Sequence, residues 1–232
     1  WWMTQALPLT VTAMLPFLAV PAFGVMTANE IAKEYYSPTL FLILGGAFLA
    51  LAIERIGMHR RVALAILGKA GHSATGLLVA FMGATALLSM IISNTSTTLI
   101  MIPIALAVLQ AGGVKEGETE GLAGAMMMGV AFAASIGGLG TLVGSPTNAI
   151  SAGLVEKQLG IEIDFLAWMK FGMPIVIVSV PLCAFILIKV QRVASFGFDV
   201  DGARAAIGTP GPLSIPERRL VPIILLVLVG WI

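Results

Sequence analysis

Six small polar residues, Ser93, Asn94, Thr95, Ser96, Thr97 and Thr98, stand in a row between apolar arms in the stretch IISNTSTTLIMIPIALAV. Ser89 lies four residues before Ser93, so on a continuous helix the two would share one face. Asn94 would mark the point where that helix stops, and Thr95 to Thr98 offer N-cap candidates for a second helix. Hydroxyl and amide oxygens beside a freed carbonyl are hard, neutral donors, suited to a small hard cation such as sodium. The start of the second helix would turn free N–H groups on the same place, and such ends attract carboxylates.

A second polar break follows about 50 residues later, in GGLGTLVGSPTN. Gly137, Gly138, Gly140 and Gly144 permit unwound backbone, Pro146 forbids helical continuation, and Ser145, Thr147 and Asn148 add polar atoms. Non-helical backbone at membrane depth is tolerated only where it is buried in protein or lines a cavity. Two such breaks suit a binding site built between discontinuous helices, as in secondary transporters. Neither break contains a charge: no Asp or Glu occurs between Glu54 and Glu116, nor between Glu120 and Glu156. Proton relays use buried carboxylates or histidines, so sodium coupling is the simpler expectation. The run GLGTLVG brushes against a phosphate-loop pattern but lacks its preceding strand, final spacing and lysine.

The elements that must position these residues are membrane helices. The 232-residue chain is 58% hydrophobic and 11% charged, with mean hydropathy +1.00. A soluble domain carries roughly 25% charged residues, so an integral membrane protein is expected. A net charge of +1 argues against nucleic acid as a partner. The lone Cys183 excludes a disulfide within these residues and reads as a buried small hydrophobe.

Spans are expected at residues 6–26 and 39–56, with an amphipathic interfacial helix in RIGMHRRVALAILGKAGH. Residues 74–92 are long enough to cross. The apolar arm 99–110 is about 12 residues, rising about 18 Å against a hydrocarbon core of about 30 Å. A re-entrant hairpin with the polar run at its tip is therefore expected. Residues 121–140 enter again and break, 148–159 complete the crossing, 171–190 return, and a polar linker at 195–219 precedes a last apolar run. This path puts ten of the basic residues on one side and three, Lys33, Lys157 and Lys170, on the other. That bias names the first side cytoplasmic. The chain opens and closes inside apolar runs, so it is expected to be an excerpt of a longer protein.

These residues resemble the divalent anion:sodium symporter family, whose members carry dicarboxylates, citrate or sulfate. The opening WWMTQALPLTVTAMLP resembles that family's tryptophan-rich first-repeat helix, with Gln5 where Glu is usual. SNT at Ser93–Thr95 matches its hairpin-tip signature, and GTLVGSPTN resembles its unwound-helix signature, with Thr147 where a second proline is usual. The resemblance implies an all-α integral membrane fold: half of an inverted-repeat, elevator-type transporter with a re-entrant hairpin and a broken transmembrane helix. It implies a sodium site of Ser89, Ser93, Asn94 and the Gly144 carbonyl. It places the substrate carboxylate at Ser93, Asn94, Thr95, Ser145 and Pro146. Residues 1–73 would belong to a scaffold, 74–195 to a transport part, and 196–232 to a cytoplasmic linker and the start of a second repeat. The full-length protein would work as a homodimer in the cell's plasma membrane, with sodium as coupling ion and a small dicarboxylate anion as cargo.

The resulting expectation is sodium-coupled symport of a dianionic C4-dicarboxylate of the succinate, malate and fumarate class. Alternatives on the same fold are a dicarboxylate exchanger and a sulfate or citrate carrier. A non-transporting membrane subunit is a further alternative. An intramembrane enzyme is disfavoured, because no His/Asp pair, metal cluster or activated nucleophile occurs in the breaks.

Overall fold

A computed structural model describes residues 1, 3–69, 73–115, 117–193, 198–207 and 211–231. All regular structure among them is helical, as the apolar runs predict. The helices are α1 (Leu9–Ala22), α2 (Ala28–Tyr35), α3 (Pro38–Ile56), α4 (Met58–Leu67), α5 (Ala74–Ser89) and α6 (Asn94–Ala111). They continue with α7 (Gly121–Gly138), α8 (Pro146–Leu159), α9 (Phe165–Val190), α10 (Val200–Ile207) and α11 (Ile215–Gly230). Three of them, α6, α7 and α9, are long and apolar enough to cross a membrane, as is the stretch Ala28–Ile56. Within that stretch the helix breaks at residues 36–37, so α3 is its continuous apolar rod.

The chain divides into two units, Trp1–Leu44 and Gly45–Ile232. In the first, α1 carries Pro16 and Pro21 within its length. Phe17 of α1 stands edge-on to Tyr35 and Tyr36, with ring centroids 5.2 and 6.3 Å away, and the Tyr35 hydroxyl donates to the Ala13 carbonyl at 2.7 Å. The helix α2 was not expected. Its start carries a capping box: Thr27 accepts from the Glu30 N–H, and the Glu30 carboxylate accepts from the Thr27 N–H. Four residues, TANE, spell that signature.

The second unit is organised around α7, two-thirds of which is buried. Its sequence GLAGAMMMGVAFAASIGG presents Gly and Ala to its neighbours, and small residues let helix backbones approach closely inside a membrane protein. Phe81, Leu77, Leu78 and Met82 of α5, Met126 and Val130 of α7 and Met101 of α6 form the core, all essentially without exposure. The expected amphipathic helix is α4, which adds Ala63 and Leu67 to that core. A smaller cluster joins Leu49 and Ile53 of α3, Met58 of α4, Ile92, and Leu220 of α11.

Several expectations change. The helix carrying Ser89 ends at that residue, so Ser89 and Ser93 do not share a helical face; residues 90–93 form the turn between α5 and α6. Thr95 to Thr98 are not the N-cap. Ser93 takes that role, accepting from the Ser96 N–H at 3.2 Å. The polar run thereby becomes the first turn of α6, which at 18 residues is half as long again as its apolar arm. Such a helix rises about 27 Å, so shortness of the arm no longer argues for re-entrance.

Further along, α8 begins at Pro146 and α9 at Phe165, each a little before the expected position. Asp164 fixes the latter start by accepting from the Ala167 N–H at 2.6 Å. The supposed linker 195–219 contains α10 and the beginning of α11; its residues 195–197 and 208–210 lie outside the described residues.

Candidate functional site

Two helices end and two begin at one place in the second unit. The C-termini are those of α5 at Ser89 and α7 at Gly138; the N-termini are those of α6 at Asn94 and α8 at Pro146. Close packing of α5 on α7 brings the breaks together, and side chains lock them. The Thr141 hydroxyl donates to the Met90 carbonyl and accepts from the Gly144 N–H at 3.0 Å. The Asn148 amide donates to the Gly138 carbonyl at 2.8 Å and the Thr141 carbonyl at 2.9 Å. Orphan carbonyls at helix ends need such partners when buried, and Thr141 and Asn148, both buried, provide them.

The oxygens converge on Ser89, which has no exposed surface. Its hydroxyl lies 2.6 Å from the Asn94 side-chain oxygen and 2.7 Å from the Ala134 carbonyl, donating toward either. A hydroxyl has one proton, so with the Asn94 amide oxygen turned inward two acceptors compete for it. Three neutral oxygens with a single proton among them form a cluster that a small hard cation complements. The α5 and α7 C-termini add the negative ends of two helix dipoles on the same side.

Gly144 packs closely on the ends of α7 and α5. A Cβ there would stand 2.5 Å from the Gly138 carbonyl oxygen and 3.0 Å from that of Ser89, so only glycine allows the approach. Gly138 is equally constrained, since a Cβ on it would meet the Asn94 side-chain oxygen.

The remaining predicted residues occupy the N-terminal side of the breaks. Ser93 and Thr95 are exposed at the start of α6, while Asn94 is half-buried. Ser145 is half-buried at the N-cap position of α8, with its hydroxyl 2.6 Å from that of Thr147, and Pro146 is exposed as the first residue of the helix. The positive ends of the α6 and α8 dipoles therefore lie on this side, where an anion would gain most. Ser89 and Asn94 meet through their side chains, and Gly144 packs against the Ser89 carbonyl. Ser93 spends its oxygen on capping α6, and no direct contact joins it to Ser89 among the described interactions.

Sequence reasoning missed the Ala134 carbonyl and the bridging role of Thr141. A backbone carbonyl has no sequence signal; Thr141 had one, a hydroxyl residue inside a glycine run. Outside the membrane-spanning helices, Arg61 of α4 grips both carboxylate oxygens of Glu217 at 2.7 and 3.1 Å and also donates to the Gly211 and Pro212 carbonyls. These bonds, with those from the Ser214 N–H and hydroxyl, lower the Glu217 carboxyl to about 2.

Apolar helices of spanning length, two interrupted helix pairs and a buried cluster of uncharged oxygens define an all-α, multi-pass membrane protein. The chain belongs to the citrate transporter family, whose sequence model matches residues 1–232. It is 36% identical over 245 residues to the sodium-dependent dicarboxylate transporter SdcS of Staphylococcus saprophyticus, across 100% of this chain and 46% of that protein. It is 40% identical over 184 residues to the protein of the same name from Staphylococcus aureus strain USA300, across 77% of this chain and 35% of the relative. The chain thus spans less than half the length of these curated relatives. The family and these relatives are named as transporters and not as enzymes, in keeping with the resemblance to divalent anion:sodium symporters.

Proposed function

We propose that the full-length protein imports a dianionic C4-dicarboxylate together with sodium. The observation that carries this reading is the Ser89–Asn94–Ala134 oxygen cluster at two helix C-termini, beside the N-termini of α6 and α8. The first arrangement suits a cation and the second an anion. Relatives named sodium-dependent dicarboxylate transporters support both halves of the pairing.

In this reading Ser89, Ser93, Asn94 and Gly144 hold sodium. Ser93, Asn94, Thr95, Ser145 and Pro146 meet a substrate carboxylate. The α5–α6 pair is a re-entrant hairpin, and residues 74–195 move as a transport part against a scaffold in an elevator motion within a homodimer. Bringing two negative charges into a cell at about −100 mV costs about 4.6 kcal/mol, from roughly 2.3 per charge. Co-transported cations offset that cost. A cation held beside the carboxylate also raises the local potential, so substrate binds well only after sodium, with no basic side chain required.

Uptake of labelled succinate by the reconstituted full-length protein tests the reading. An inward sodium gradient should drive accumulation, potassium should not replace it, and Asn94→Ala should lose the sodium response. Uptake indifferent to sodium in both proteins would reject the proposal. Unlabelled citrate, sulfate and fumarate as competitors identify the anion class, and dependence on internal dicarboxylate would reveal exchange instead.

A further inference from the structure

The hydroxyls within the helices of the second unit mostly behave alike. Thr85 donates to the Phe81 carbonyl at 2.7 Å, Thr98 to that of Asn94 at 2.8 Å, and Ser135 to that of Ala131 at 3.2 Å. Each uses the carbonyl four residues back, the ordinary refuge of a hydroxyl in an apolar helix. Thr97 does not. It is fully buried, and its Oγ1 has no hydrogen-bond partner among the described residues. A buried polar atom without a partner marks a place where an ion or a water belongs.

Position narrows the choice. Thr97 follows Asn94 by three residues, so the two side chains neighbour one another on α6. Asn94 touches Ser89 of α5 and packs on Gly138 of α7, so this face of α6 is turned toward the oxygen cluster. Thr97, Met101, Ala105 and Val108 continue it as the buried stripe of the helix. The threonine therefore sits about one turn further along the same buried face of α6 as Asn94.

We infer that Thr97 Oγ1 is a further oxygen ligand of the sodium site, closing it from the protein interior where solvent has no access. The inference rests on the sodium-coupled reading and extends it to a residue outside the expected ligand set. Replacing the hydroxyl by a methyl of nearly the same size removes a ligand and, at the same time, an unsatisfied polar atom. The two effects have opposite signs, which sets this role apart from plain packing.

Thermal unfolding of the purified full-length protein, titrated with sodium chloride against choline chloride at constant ionic strength and without substrate, reads both. In Thr97→Val the melting temperature without sodium should equal or exceed that of the parent, while the sodium needed for half of the stabilisation rises about tenfold, the loss of one polar contact. Thr97→Ser keeps the oxygen and should stay within about twofold of the parent, a difference below the energy of such a contact. Thr97→Ala lacks the oxygen and serves as a second hydroxyl-free variant, with the same sodium defect at a lower melting temperature. An unchanged half-saturation in Thr97→Val or Thr97→Ala overturns the inference and leaves the sodium-coupled reading standing. A parent protein whose unfolding ignores sodium overturns both. Failure of both hydroxyl-free variants to fold also overturns it, because an oxygen reserved for the ion is not needed by the ion-free protein.

Discussion

The side-chain oxygen of Asn94 fills the space that a Cβ on Gly138 would claim. Two breaks 44 positions apart in the chain are thereby fitted to one another at atomic contact. The Gly138 carbonyl is in turn held by Asn148, so one glycine connects the first turns of α6 and α8.

That contact makes Gly138→Ala a severe change. The new methyl must displace the Asn94 oxygen from Ser89, and overpacking of this kind costs about 1–3 kcal/mol. Sodium-dependent thermal stabilisation should disappear. Gly45→Ala provides the control: open space surrounds that position in α3, and alanine there should be neutral or stabilising by up to about 1 kcal/mol. Melting curves of the full-length variants with and without sodium check both outcomes.

Ser89→Ala removes the hydroxyl between Asn94 and the Ala134 carbonyl. One lost polar contact is worth about 1–2 kcal/mol, so the sodium requirement for succinate uptake should rise about 5–30-fold. The maximal rate at saturating sodium should fall less. A sodium titration of initial uptake rates separates the two quantities.

Thr141 ties the breaks together independently of any ion. Thr141→Val loses the donor to the Met90 carbonyl and the acceptor of the Gly144 N–H, both buried. A destabilisation of about 1–3 kcal/mol is expected whether or not sodium is present. Thr141→Ser should recover most of it. Equal losses of melting temperature in sodium and in choline would establish a structural role.

The clasp of Arg61 on Glu217 predicts a pH signature. The folded carboxyl lies near 2, below its ordinary value of 4.5, chiefly because Arg61 donates to it and then because Ser214 does. A lowered folded value stabilises the charged form. The contribution is therefore complete above pH 4.5, shrinks as pH falls below that, and is gone once the pH passes about 2. In Arg61→Gln the parent's stability advantage should be largest at neutral pH and narrow on acidification from pH 4.5 downward. Chemical unfolding at stepped pH measures it.

Much of this protein was legible in its residues because membrane physics is blunt. Long apolar runs have few alternatives to the helix, and GGLGTLVGSPTN could not continue one, so the end of α7 and the start of α8 stood nearly where Gly138 and Pro146 put them. The other break was harder. Ser93 and Thr95 to Thr98 are all competent caps, and capping propensity alone does not choose among them. The turn at residues 90–93 did, by stopping α5 four residues early and handing the cap to Ser93. The helix α2 carried a readable capping box, and α10 is eight residues inside a polar stretch, too short for periodicity to stand out.

Composition and pattern alone thus determined an all-helical membrane chain with two uncharged interruptions and the residue types suited to a cation and an acid. Only the tertiary structure decided which oxygens meet. Ala134 offers a carbonyl that any residue would offer, and it counts because α7 lies against α5 closely enough to bring it to Ser89, 45 positions away. Thr97 and Thr98 are neighbours of one type, yet one bonds back to its own helix while the other faces inward with its oxygen unpaired among the described residues. The 3.6-residue turn separates adjacent side chains by about 100°, and what waits on each side is settled by packing between helices.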